Sequence, residues 1–242
     1  MVVNEFAANE ILDIGVSNAG RAGVSFLNWR IAPSPLTQRK ETATEFAGAG
    51  LYALCFDNEL IYLGSYLGVK SSTGLNTGNV VGSRWWTHVG SITGRGHKVH
   101  VARQSVASLA DEFGQDHPMV IGFTSASTPD LLHKDAGCLA PLRRLRFAAD
   151  RWDEFGKDDG QPEAVLKRFT FIYARVNVPS DCMDSTATRT EIVNRERGLI
   201  EELAPPCNAT YVRHDQKPVS VAAHRIREML ATAIQEIETA SG

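Results

Sequence analysis

Residues 50–66 read GLYALCFDNELIYLGSY. Two β-prone runs flank a polar turn. Each carries a glycine and a tyrosine: Gly50-Leu51-Tyr52 in the first, Tyr62-Leu63-Gly64 in the second. Strand residues alternate faces, so Tyr52, Leu54 and Phe56 share one face. Tyr62 and Gly64 join that face if Leu54 pairs with Tyr62. Such a register requires an odd-numbered loop, most simply Asp57-Asn58-Glu59. A two-residue turn puts the tyrosines on opposite faces. All three loop residues suit a turn, and Asn tolerates left-handed geometry. In the expected register both hydroxyls point at one spot. Two cross-strand aromatics in a core are the other reading of the same hairpin.

The chain of 242 residues is long enough for one large domain or a core with an elaborated insertion. Its 43% hydrophobic and 22% charged content is that of a soluble globular protein. No apolar run approaches the roughly 20 residues that span a bilayer, which argues against a membrane partner. The start, MVVNEFAANEILDIG, carries acids early and does not read as a signal peptide. Cys55, Cys138, Cys182 and Cys207 are widely spaced, without CxxC pairs. Reduced thiols in a cytoplasmic protein are expected. The net charge is −3, yet no Asp or Glu occurs from Leu60 to Ala110. Lys70, Arg84, Arg95, Lys98 and Arg103 all lie in that stretch, with His88, His97 and His100. An acid-free basic stretch in an acidic protein is a candidate polyanion surface; a solvated loop that lacks acids is the alternative.

Around the hairpin, residues 4–14 read as a short amphipathic helix and 32–44 as a loop or arm. Residues 67–82, rich in Gly, Ser, Thr and Asn, read as a mobile loop. A helix is expected to begin near Gly82 or Ser83, with Ser83 as N-cap. Beyond it, 97–104 reads as a strand, 108–114 as a short helix, 119–126 as a strand and 141–155 as a helix. RFTFIYARVNV (168–178) is a strong strand by its β-branched and aromatic content. A helix follows and stops at Pro205-Pro206, and an amphipathic helix runs from about Ser220 to Glu238. The sum is an α+β protein with a small sheet covered by helices.

In the helix before the two prolines the apolar stripe is Ile192, Leu199, Ile200 and Leu203. Glu196 falls on it, while Glu191, Glu201 and Glu202 lie off it. A carboxylate on a buried stripe is costly unless paired or metal-bound; a core-edge salt bridge is the plainer explanation. Asn208 follows the prolines, either capping the chain or bonding inward to hold hairpin and helix in register. Arg84 and His88 are spaced i, i+4 on the expected helix. One is a fork suited to phosphate, the other a proton carrier near neutrality.

Taken in order, Gly50-Leu51-Tyr52, Tyr62-Leu63-Gly64, Arg84, His88, Glu196 and Asn208 resemble the motifs of the GIY-YIG nuclease superfamily, with Leu in place of Ile in both tripeptides. The segment ERGLIEELAPPCN resembles that superfamily's Glu-bearing helix and Asn. The resemblance covers about 50–89 and 168–208. The size and the EFAGAGLYAL lead-in are most similar to its short type II restriction endonucleases. It implies a three-stranded, mainly antiparallel sheet flanked by helices, with a large insertion after the first core helix. The organisation implied is an N-terminal helix and arm over 1–49 and a core over 50–208. An insertion for DNA recognition occupies about 90–167, and a C-terminal helix 209–242.

The activity implied is sequence-specific hydrolysis of double-stranded DNA by a homodimer with Mg²⁺ (or Mn²⁺). A cognate DNA methyltransferase would be a genetic partner. Glu196 would hold the metal and Arg84 clamp a phosphate oxygen. Tyr52, His88 or both would activate water, Tyr62 would position the phosphate or Tyr52, and Asn208 would support the site. Lys70, Arg95, Lys98, Arg103, Arg143 and Arg144, with Arg146, are the cations available for DNA. A nicking, repair or mobile-element nuclease is the alternative enzyme. A non-catalytic DNA-binding protein on the same fold is the alternative from another class. All the enzyme readings need two phenols, a guanidinium and a carboxylate around one phosphate.

Overall fold

The computed structural model describes residues 2–39, 44–71, 74–127, 138–156, 161–176, 185–213 and 215–241. The chain divides into two compact units. The first is built from residues 1–11, 33–83 and 167–242, the second from 12–32 and 84–166.

The first unit holds a four-stranded antiparallel sheet rather than a three-stranded one. Its strands are β1 (Val2–Ala7), β4 (Gly50–Phe56), β5 (Glu59–Tyr66) and β10 (Phe169–Arg175), in the order β1-β10-β4-β5. The extra strand is the segment expected to be helical over 4–14. It forms β1, then the single turn α1 (Ala8–Ile11), then β2 (Leu12–Val16) of the second unit. Its apolar spacing fits a helix, but Val2–Ala7 pairs residue for residue with Arg175–Thr170. That ladder completes β10 on its otherwise open side, and the local period loses to it.

β4 is buried at every position, as a central strand covered on both faces must be. One face packs Leu51, Ala53, Cys55, Leu60, Leu63, Ile172 and Ala174 against two long helices. These are α8 (Ser185–Leu203), contributing Ile192, Ile200 and Leu203, and α9 (Ala223–Ser241), contributing Ile226, Leu230, Ile234 and Ile237. The other face carries Tyr52, Leu54, Phe56, Phe169, Phe171 and Tyr173, also buried. α8 ends where the sequence stops it: Ala204 takes a left-handed φ of 46° just before Pro205 and Pro206.

At Leu60 and Ile61, and at Asn58 before them, the outer edge of β5 is closed by the chain after α8. Cys207 N donates to Ile61 O (2.9 Å), Leu60 N to Val221 O (2.9 Å) and Ala223 N to Asn58 O (2.8 Å). An edge strand so covered cannot recruit a foreign strand there.

In the second unit β2 pairs with β3 (Trp29–Pro33). A two-residue parallel pair joins β8 (Val99–His100) to β9 (Cys138–Leu139). Its helices are α2 (Trp86–Ile92), α3 (Arg103–Phe113), α4 (Pro118–Thr124), α5 (Leu142–Asp150), α6 (Trp152–Phe155) and α7 (Pro162–Leu166). Two expected strands are corrected here. Residues 97–104 yield only β8 before α3 begins, and 119–126 lie mostly in α4. Pro118 at the first helical turn and a His117 cap, whose Nδ1 accepts from Met119 N at 3.2 Å, set that helix.

Within 67–82, expected as a loop, β6 (Val69–Ser71) pairs antiparallel with β7 (Gly74–Thr77), and Val81–Gly82 already belong to the helix that follows. Among the described residues no helix is long and apolar enough to cross a membrane.

Candidate functional site

The hairpin reaches the expected register by an unexpected route. Leu54 does pair with Tyr62, and Tyr52 pairs with Gly64. The turn, however, has two residues. Asp57 and Asn58 sit at φ 49° and 66°, the signature of a type I′ turn, and Phe56 pairs with Glu59. The missing odd residue is a β-bulge at Ile61: Cys55 faces Leu60, and Leu54 faces Tyr62. The bulge turns Tyr62 onto the face of Tyr52.

Both phenol rings converge on Gly64. Their centroids are 6.0 Å apart, inclined by 34°. A Cβ at residue 64 would stand 2.6 Å from the Tyr52 hydroxyl and 2.9 Å from Tyr62 Cε1. Only glycine leaves room there, which is the physical content of the Tyr-Leu-Gly motif. Tyr52 is buried and Tyr62 half-buried. Beside them Tyr173, directly opposite Tyr52 on β10, donates to Gly48 O at 2.6 Å. Burial raises the Tyr173 pKa, so this phenol stays protonated as a structural donor.

Glu196 is half-buried on α8. Its Oε2 accepts from Ser65 Oγ at 2.6 Å, a short charge-assisted bond. Ser65 pairs with Leu51, so it lies on the helix-covered face. The carboxylate and the two phenols therefore occupy opposite faces of β5, held at the adjacent residues Ser65 and Gly64. The expected arrangement, with all groups around one point on one face, is not what the sheet provides. The apolar stripe of α8 puts Glu196 against the sheet, and strand alternation assigns the phenols to the other side.

Asn208 is fully buried. Its Oδ1 accepts from Leu63 N (2.9 Å) and its Nδ2 donates to Leu63 O (2.8 Å). The side-chain amide thus mimics one more strand residue, clasping the middle of the Tyr-Leu-Gly motif to the turn after α8.

Arg84 and His88 belong to the second unit. The helix is capped by Asn79 and not by Ser83: Asn79 Oδ1 accepts from Val81 N (2.8 Å) and Gly82 N (3.1 Å). It starts as a π-helical turn over Val81–Trp85 before α2, a winding found often at functional sites. Arg84 is exposed and His88 buried. Burial, then the neighbouring Arg144 and Arg84 guanidinium groups, hold the His88 pKa well below its ordinary value. At neutral pH His88 is therefore an uncharged imidazole, not the proton carrier its sequence context suggested.

The other expected DNA cations divide sharply. Arg95 is buried to 1% exposure. It donates from Nε to Phe26 O (2.8 Å), from Nη2 to Asn28 Oδ1 (3.0 Å) and from Nη1 to Phe155 O, and lies over Trp29 and Trp152. Arg144 is also buried and donates to Ser91 Oγ at 2.5 Å. Both are internal cross-links and not DNA contacts, because every donor a fork aims inward is lost to solvent. Arg146 pairs with Glu112 at 2.5 Å. Lys98 and Arg103 are exposed, and Arg143 half-buried. Lys70 lies on β6, and its side chain is outside the described residues.

Sequence reasoning missed Ser65. Its one signal was a polar residue at an inward strand position, next to the motif glycine. No protein family, curated protein or solved structure matches the chain.

Proposed function

We propose that the chain is a metal-dependent endonuclease of the GIY-YIG type that hydrolyses phosphodiester bonds of duplex DNA, in the manner of a restriction enzyme. The observation that carries this reading is local: Tyr52 and Tyr62 converge on Gly64, and Glu196 is fixed at Ser65, one residue on but on the opposite face of β5. The Tyr52 strand also lies between the Tyr62 strand and β10, so both motif strands are built into the sheet.

Among the described residues no group of three or more His, Cys, Asp or Glu side chains could hold a metal. A cation bound by Glu196 takes one hard oxygen from the protein and the rest from water and phosphate, which suits Mg²⁺ or Mn²⁺. The metal would supply charge neutralisation at the phosphate and at the leaving oxygen. Tyr52 orients the attacking water. Tyr62 bounds the water's position. Asn208 keeps the motif strand in place. The phenols and the carboxylate can serve one phosphate only if it sits at the rim of β5, reached from both faces.

That requirement is also what favours the second reading, a non-catalytic DNA-binding protein on the same fold. Supercoiled plasmid incubated with Mg²⁺ separates the two, with wild type beside Glu196→Ala. The expected result is linear product from the wild type and a loss of at least about 100-fold in the variant. Equal cleavage by both removes Glu196 from the chemistry. A wild type inert on every DNA and metal tried leaves the binding protein. Nicked rather than linear product points to a nicking, repair or mobile-element enzyme and away from a palindrome-cutting homodimer.

A further inference from the structure

The second unit contains a cavity of about 160 Å³ that the nuclease reading does not use. Trp29 forms its inner wall, with one ring face covered by the Arg95 guanidinium at 5.0 Å. Half-buried Trp86, at the start of α2, forms another wall. The floor is the contact between Gly90 and Gly96, where a Cβ on Gly96 would come within 2.7 Å of Gly90 Cα. Arg30 and Lys98 are exposed at the mouth. The Lys98 ammonium rests 5.0 Å from the Trp86 ring centroid, so that indole can be reached from outside by a cation.

The dimensions and the chemistry point the same way. Pockets for whole ligands run to about 300–1,000 Å³, so this one admits only a planar fragment. Indole walls select a flat π-system. Two exposed cations at the entrance suit a ligand whose anionic part stays outside. A nucleobase with its sugar and phosphates projecting has that form.

The geometry points to this cavity as the seat of one unstacked nucleobase of a DNA strand, stacked against Trp86, with its flanking phosphates on Arg30 and Lys98. On binding, the base takes the place of the Lys98 ammonium on the indole, and the ammonium moves to phosphate. A single-stranded or distorted position presents such a base at least cost. The assignment extends the DNA reading but needs none of its chemistry.

The test is binding of the full chain to short fluorescent single strands, read by anisotropy in EDTA so that no cleavage contributes. Two strands of equal length and charge are compared, one with bases and one abasic throughout. The base-bearing strand is expected to bind about 5- to 100-fold more tightly. Trp86→Ala is expected to abolish that difference, and Lys98→Glu, an exposed change, to weaken both strands. Equal binding of the two strands by the wild type overturns the proposal whatever any variant does. So does a Trp86→Ala protein that melts as wild type and keeps the difference. Competition by free dAMP or dTMP as effective as by the strand assigns the cavity to a mononucleotide and overturns the strand assignment. A chain with no nuclease activity gives the same readout, so the two proposals fail separately.

Discussion

Gly64 is the residue on which the candidate site turns, since both phenols rest where its Cβ would be. Gly64→Ala is expected to destabilise by about 1–3 kcal/mol, the cost of overpacking a tight contact, and on the proposed nuclease reading to abolish cleavage. A variant that denatures with the wild type would show that the rings yield freely. Asn208 carries a different kind of weight. Removing its amide in Asn208→Ala leaves Leu63 N and O without the partners that now bond them. Two unsatisfied buried groups cost roughly 2–4 kcal/mol, which urea denaturation measures directly. Ser65→Ala removes one bond to a charged group, worth about 1.5–3 kcal/mol at most. On the proposed nuclease reading it also loosens the carboxylate, so the Mg²⁺ concentration for half-maximal cleavage rises while melting falls by no more than that bond is worth.

At the scale of elements, the hairpin turn is a testable economy. Asp57 and Asn58 both have positive φ, which Gly accepts without strain. Asn58→Gly is expected to stabilise by a few tenths to about 1 kcal/mol, and Asn58→Val to cost about 1–2 kcal/mol. A reversed order of the two melting points would contradict the type I′ turn. The same hairpin shows what the sequence made legible. Alternation identified the partner of Tyr62 correctly, because burying one face fixes register. It assigned the wrong turn, because a bulge and a longer loop add the same one residue to the count. α8, α9 and β10 were readable because their patterns are long and end at prolines or polar turns. β1 and α4 were not, since a six- or seven-residue apolar segment is decided by what it packs on. The faces of the site failed for a similar reason. Glu196 was rightly placed on a buried stripe, but nothing in a helical period says which side of a strand the stripe meets. Nor could charge counting separate Arg95 and Arg144, which turn inward, from Lys98, which does not.

At the scale of the molecule, composition and architecture coincide in a useful way. All four tryptophans (Trp29, Trp85, Trp86, Trp152) fall in the second unit, and all five tyrosines (Tyr52, Tyr62, Tyr66, Tyr173, Tyr211) in the first. Tryptophan emission therefore reports one unit alone. The second unit also holds His88 and His100, whose pKa values are both lowered by burial first, with arginine neighbours second. Below the ordinary histidine value near 6.5 the unfolded chain binds protons that the folded unit refuses. Stability therefore falls as pH falls, from about 6.5 down to the lowered folded values. His88 contributes a slope of about 1.4 kcal/mol per pH unit in that window. Denaturation followed by tryptophan emission is expected to show it, and His88→Gln to flatten it. An unchanged slope in that variant would assign the acid sensitivity elsewhere.

The order β1-β10-β4-β5 also has a consequence for how the protein is made. On the ribosome, β1, β4 and β5 emerge well before β10, which must slide between β1 and β4. At about 5–20 residues per second, the hydrophobic flank of β4 waits roughly 5–20 s after Tyr66 for Phe169–Arg175 to be synthesised. During that interval the nascent chain presents a bare strand edge, a natural holding point for a chaperone. Slowed translation between those segments should lower the yield of native protein more than slowing anywhere after Arg175.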